Sequence, residues 1–183
     1  MRIVVLAAAL ALAAACTPDA ANQSAASCAA SASTTWQAEG APALTIDANT
    51  SGPDCANAVA TYVVRAADHS VIWAEIYHAD QVMVLAGAAN GAEMQTKLGE
   101  WVAFDNHTMA STSALPEWPA NAETPQNGEF PFYPEDDVTR EIYTAIRAAN
   151  APMFCYAQGM ESQRCLAWYQ NTLVSVGVQT FPG

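Results

Sequence analysis

Glu75 lies in the run VIWAEIYH, with Trp73 two residues before it and Tyr77 two residues after. In an extended chain alternate residues share a face, so these three would line one side of a strand. A carboxyl buried there without a charge partner loses solvation, and its pKa rises toward that of a proton donor. Glu75 is therefore the candidate acid if the chain is an enzyme. The plainer reading is a solvent-facing carboxylate packed between rings. Arg65 is the nearest cation in sequence. A two-residue turn at Asp68 and His69 would pair Tyr62 with Glu75 and put Arg65 on the opposite face. A three-residue turn would align the faces but leave Arg65 and Glu75 well apart along the strands, so neither gives a direct ion pair.

Metal chemistry has little support. His69 and His78 would lie roughly 30 Å apart on a continuous strand rising ~3.3 Å per residue, too far to share an ion. His78 and Asp80 can face one side of an extended segment, but two ligands without a third make a weak site. His107, beside Asp105 and Asn106, reads as loop. The chain has no Gly-x-Ser-x-Gly elbow, His-Glu-x-x-His pair, phosphate-binding glycine loop or dinucleotide fingerprint. The methionines are too dispersed for a copper site. No metal or cofactor is expected.

Trp118, Phe130, Phe132 and Tyr133 are concentrated among Pro116, Pro119, Pro125, Pro131 and Pro134. Rings held by prolines lose little entropy on binding, so this segment is a candidate contact for a peptide, a glycan or another envelope protein. The alternative is a long loop pinned to the core by the same rings.

Five cysteines leave one unpaired in any complete disulfide scheme. Cys16 closes the run MRIVVLAAALALAAAC: one charge at Arg2, an apolar stretch, then Ala13, Ala14 and Ala15. The apolar part is shorter than the roughly 20 residues that span a bilayer, and reads as a secretory signal over residues 1–15. The ending LAAAC resembles the lipobox of bacterial lipoproteins. It departs from the family pattern in having Ala13 three residues before the cysteine, with Leu12 one place further out. The resemblance implies lipid attachment at Cys16 after cleavage, and a membrane bound through that lipid. Thr17 in place of aspartate implies the outer membrane if the host is Gram-negative. Ordinary cleavage after Ala15 would instead leave Cys16 as a plain thiol.

Cysteine parity favours the lipid, because Cys28, Cys55, Cys155 and Cys165 can then pair completely, in three possible connectivities. Cys155 with Cys165 and Cys28 with Cys55 is the expected scheme. The first pair flanks a hairpin in which Gln158 faces Ser162, and the second ties the leader to the domain. There is no Cys-x-x-Cys to support thiol exchange.

A formal net charge of −12 repels nucleic acid and anionic headgroups, so nucleic acid is excluded as a partner and electrostatics would not hold the chain to a membrane. Residues 16–35 are rich in Ala, Ser and Thr and read as a tether. Residues 36–183 suffice for one globular domain. Residues 36–39 and 43–47 are short possible strands. Residues 60–66 and 70–78 read as a hairpin whose second strand, apolar on both faces, belongs inside a sheet. Residues 81–86 fit a strand or a short buried helix. Asn90 and Glu93 approximate a capping box for a helix over 91–103 with Met94, Leu98, Trp101 and Val102 on one face. A long loop follows over 105–134. Glu135, Asp136 and Asp137 then start a second helix carrying Val138, Ile142, Ile146 and Ala149, and three strands follow over 153–158, 163–169 and 173–181.

The expected fold is α+β: a single domain with an antiparallel sheet, about two packed helices and disulfide staples. The expected role is binding or scaffolding at the cell envelope from its periplasmic side, without catalysis. The alternatives are a periplasmic enzyme using Glu75 and a secreted inhibitor acting through the disulfide hairpin or aromatic loop.

Overall fold

In a computed structural model describing residues 27–103, 109–125 and 130–181, the first strand begins inside the stretch expected to be a tether. Strand β1 (Ala30–Trp36) pairs along its whole length with β2 (Leu44–Ser51). Ala30, Ala32 and Thr34 face inward while Ser31, Ser33 and Thr35 face out. The alternation is real, but Ala, Ser and Thr differ too little in hydropathy to display it in sequence. The described fold also takes in Cys28, which is fully buried and donates its N–H to the Gly52 carbonyl at 3.1 Å.

β3 (Val59–Arg65) and β4 (Val71–His78) complete a sheet of order β1-β2-β3-β4. β4 is thus an edge strand, contrary to the expectation that it lay inside. Its inward face carries Trp73, Glu75 and Tyr77, whereas outward Ile76 is 70% exposed. Apolar residues on both faces arose from an exposed isoleucine, not from double burial. Residues 81–86 form neither a strand nor a regular helix, but the end of a 3-10 turn (Ala79–Gln81) and further turns.

The strands divide into two antiparallel sheets. The second, of order β5-β8-β7-β6, comprises β5 (Phe132–Pro134), β6 (Met153–Ala157), β7 (Ser162–Tyr169) and β8 (Thr172–Thr180). Both expected disulfides are present. Cys155 faces Cys165 across β6 and β7, and Cys28 is joined to Cys55 with a Cα separation of 4.8 Å. Gln158 donates to the Ser162 carbonyl at 3.0 Å, the hairpin register expected from sequence.

Helix α1 (Gly91–Val102) is capped by the Asn90 side chain, which accepts from the Glu93 N–H at 3.0 Å. Met94, Leu98, Trp101 and Val102 are buried, and α1 lies over β1 and β2. The second sheet covers the rest of the first sheet's inner face, with Trp36 against Phe154 and Tyr62 against Tyr156. Its other face forms a second core, in which Val176, Ala167 and the Cys155–Cys165 bridge meet Phe132, Tyr143 and Ile146.

Helix α2 (Arg140–Ala148) starts later than expected, because Thr139 and not the acidic run supplies the cap. Its buried side chains are Tyr143 and Ile146, while Ile142 is exposed. The preceding loop is fastened to the end of α2 by the buried Thr112. Its hydroxyl donates to the Ile146 carbonyl at 2.7 Å and accepts from the Ala151 N–H at 2.8 Å.

Candidate functional site

Where the edge of the first sheet passes the second sheet, an open cleft of about 1060 Å³ separates β4 from α2. Trp73 and Glu75 form one wall, and Val138, Ile142 and Ile146 the other. Arg164, Tyr169, Val174 and Ser175 supply the floor.

The β4 wall is fixed by an aromatic cluster between the sheets. Tyr156 stacks on Tyr62 with ring centroids 3.9 Å apart and planes 6° from parallel. Its hydroxyl accepts from Trp73 Nε1 at 3.1 Å and lies 3.0 Å from the Tyr77 hydroxyl. Trp101 meets the edge of Tyr62 at 5.0 Å and donates Nε1–H to the Ala157 carbonyl at 2.7 Å. Burial pushes the phenols of Tyr62 and Tyr156 far above the ordinary tyrosine range, and that of Tyr77 upward. Each therefore stays neutral under ordinary conditions and donates or accepts as a phenol.

Arg164 is the cation of the floor. Its guanidinium sits 5.8 Å from the centre of the Trp73 ring, donates Nε–H to Gln158 at 3.1 Å and reaches the Ser175 hydroxyl at 3.2 Å. It forms a short ion pair with Glu135, and Ser175 Oγ donates to the same carboxylate. With side chains only 18% and 26% exposed, Arg164 and Glu135 form a mostly dehydrated pair that locks β7, β8 and the turn before α2 together.

The remaining acids of the cleft have no such partner. Among the described residues no salt bridge reaches Glu75, Asp136 or Asp137. Glu141, also lining the cleft, has its carboxyl lowered by hydrogen bonds from its own backbone N–H and the Thr139 side chain, and by nearby Arg140. The other described cations are engaged elsewhere. Arg65 pairs with Asp47 at 2.9 Å, Lys97 donates to the Val84 carbonyl, Arg140 donates to the carbonyls of Ala120 and Ala122, and Arg147 to that of Leu115. The cleft thus joins apolar side chains of β4, β8 and α2 to a polar floor, with carboxylates around it that no salt bridge reaches among the described residues.

Of the residues marked in the sequence, Glu75 reaches this site. It is half-buried at the cleft wall and faces Tyr62 across the strands. A bulge between Val64 and Arg65 accompanies the turn, and Arg65 turns to Asp47 on β2, away from Glu75. The aromatic loop lies elsewhere. Trp118 packs edge-on against Tyr143 at 5.5 Å under the Arg140 guanidinium, and Phe132 is buried beside Tyr143. Phe130 touches Phe181 at 5.5 Å, and both Phe130 and Tyr133 are exposed. Trp118 and Phe132 therefore act as anchors, and none of the four lines the cleft.

His69 occupies the β3–β4 turn and His78 the far end of β4, while His107 lies outside the described residues. Among the described residues no three His, Cys, Asp or Glu side chains are grouped to hold a metal ion, and no helix is long and apolar enough to cross a membrane. Cys16 lies outside the described residues.

Sequence reasoning did not single out Arg164, Ser175 or Tyr169, because nothing local distinguishes an arginine or serine on a strand that will meet a partner from elsewhere. The usable signal is the run Glu135-Asp136-Asp137, whose resemblance to a helix start hides its place in the cleft. No protein-family model, curated protein or solved structure matches this chain.

Proposed function

We propose that this chain is a lipid-anchored lipoprotein of the bacterial cell envelope that binds a partner in the cleft between β4, α2 and β8, and acts by binding or scaffolding without chemistry of its own. The cleft is the observation that carries the binding role. It is large, mixes apolar walls with a polar floor and carries carboxylates that no salt bridge reaches among the described residues, the arrangement of a site that fixes an occupant by contact area and a few charges.

Two features of the chain support the anchor. The leader ends in the lipobox-like LAAAC, and the four cysteines after it are consumed in two disulfides, leaving Cys16 for another purpose. Eleven residues lie between Cys16 and Cys28, so the anchor reaches at most ~40 Å from the start of the fold. An acyl anchor also suits a chain whose charge opposes electrostatic membrane binding. Periplasm-facing residence in the outer membrane follows from Thr17 if the host is Gram-negative.

Native mass spectrometry of protein gently extracted from its own host tests both parts. The expected result is an acylated Cys16, no thiol free for labelling after denaturation, and a co-purifying partner. In a fractionation, Cys16→Ser should move the protein out of the membrane pellet or leave it unprocessed. Membrane attachment that survives Cys16→Ser would overturn the anchor.

A further inference from the structure

β8 is nine residues long, but β5 covers only Gly177, Val178 and Gln179 on its outer side. Beyond them the Glu135 N–H reaches the Val176 carbonyl at 3.2 Å, and there the cover ends. From Thr172 to Ser175 the outer edge of β8 has no partner strand among the described residues, and Val174 and Ser175 on that stretch line the cleft. Gln170 and Asn171, both at positive φ, make a two-residue hairpin turn. Tyr169 and Thr172 are then a hydrogen-bonded pair, so the backbone groups of Leu173 and Ser175 point away from β7 toward the open edge.

We propose that the occupant of the cleft is an extended, basic segment of a partner protein that adds a strand to the free edge of β8, its cations meeting Glu75, Asp136 and Asp137. The inference rests on the cleft being the binding site and names what binds there. An edge of unpaired N–H and C=O groups gives main-chain affinity to any extended segment, and flanking side-chain pockets give the selectivity. Here the flanking chemistry is mixed: Val138, Ile142 and Val174 offer apolar contact, and Glu75, Asp136 and Asp137 offer negative charge. The floor cation, Arg164, is already neutralised by Glu135, so an acidic segment would meet uncompensated repulsion. A volume of about 1060 Å³ is also more than a simple amine fills and suits several residues of peptide.

The full-length protein in mild detergent, titrated with a labelled peptide of alternating lysine and valine or threonine, tests this by fluorescence anisotropy. Four comparisons decide. A peptide of the same sequence with every second amide N-methylated keeps its charge but loses edge pairing, and should bind about ten-fold more weakly. The variant Glu75→Gln/Asp136→Asn/Asp137→Asn should weaken the unmethylated peptide by about ten-fold, from three partly exposed charge contacts. Glu39→Gln/Asp80→Asn/Glu100→Gln removes the same charge away from the cleft and should leave affinity within about two-fold. Spermine should compete poorly.

Equal binding of the methylated peptide, equal loss in the two triple variants, or full competition by spermine would each overturn strand addition by a basic segment. Preferential binding of a glutamate counterpart or a neutral oligosaccharide, abolished by Val174→Glu, would keep the cleft as the site while refuting its occupant. Binding of none of these probes would count against the cleft as a binding site as well.

Discussion

Tyr62 and Tyr156 are stacked, fully buried and chemically identical, yet removal of their hydroxyls should act in opposite directions. The Tyr156 hydroxyl accepts from Trp73 Nε1 and shares a hydrogen bond with Tyr77. In Tyr156→Phe the stack survives but Trp73 Nε1 is left without an acceptor in a half-buried position. Losing two hydrogen bonds worth about 1 kcal/mol each, with part of a desolvation penalty, makes the cost roughly 2–3 kcal/mol. For a domain of this size that lowers the thermal midpoint by roughly 4–12 °C. Among the described residues the buried Tyr62 hydroxyl has no hydrogen-bond partner. Tyr62→Phe removes a desolvated group that gains nothing in the fold, so the change should be neutral or stabilise by about 1 kcal/mol. Urea and thermal unfolding followed by tryptophan fluorescence, with disulfides intact, measures both. Because Trp73 is a wall of the cleft, Tyr156→Phe should also weaken whatever binds there, while Tyr62→Phe should not. If Tyr62→Phe costs as much as Tyr156→Phe, the assignment of one bonded and one orphaned hydroxyl is wrong.

Alkaline pH should unfold the domain through this cluster and through Tyr143 in the second core. Burial raises the phenol pKa of Tyr62, Tyr77, Tyr143 and Tyr156 in the fold, whereas the unfolded chain ionises near pH 10. The folded state then binds more protons than the unfolded one above that pH, so stability is complete below about pH 10 and falls as pH rises beyond it. Tyrosinate absorbance should show these phenols ionising together with loss of near-ultraviolet circular dichroism; four independent titrations in a folded protein would contradict it. Arg140→Ala should release the aromatic loop, because Arg140 covers the Trp118 ring and donates to the carbonyls of Ala120 and Ala122 at 2.8 Å. Limited proteolysis should then cut between residues 115 and 125 at least several-fold faster, with global stability lowered by about 1–2 kcal/mol.

Where the sequence carries a strong local signal, the fold is legible in it. β-branched and aromatic residues around a polar break gave β3 and β4, and Asn90 with Glu93 gave the start of α1. Cysteine spacing gave both disulfides. What failed was pattern without contrast or without context. The strand alternation of β1 is written in Ala, Ser and Thr. The depth of β4 in its sheet depends on which strand lies beside it, and no local pattern encodes that. The acidic run before α2 resembles a helix start because acids favour helix N-termini, yet Thr139 is the cap and Glu135 turns away to Arg164. The cleft joins side chains more than 100 positions apart in the chain, Trp73 and Ser175 among them, so only Glu75 could be marked in advance.

The segment Pro134-Glu135-Asp136-Asp137 shows how one short sequence both makes the site and leaves it open. Pro134 is the last residue of β5, and the chain leaves the sheet after it with a single further bond to β8, at the Val176 carbonyl. That early exit strips cover from β8 between Thr172 and Ser175. The next residue anchors the turn through Arg164 and Ser175, which holds the departing chain at a fixed distance from the bare edge. Asp136 and Asp137 then stand beside the opening. A bare strand edge is ordinarily an aggregation hazard, and charge beside it is a recognised deterrent. Carboxylates that repel a second acidic copy of this chain, with its formal net charge of −12, are the same groups that would admit a basic strand. Protection against self-association and selection of a partner are then one electrostatic arrangement acting on two kinds of incoming strand.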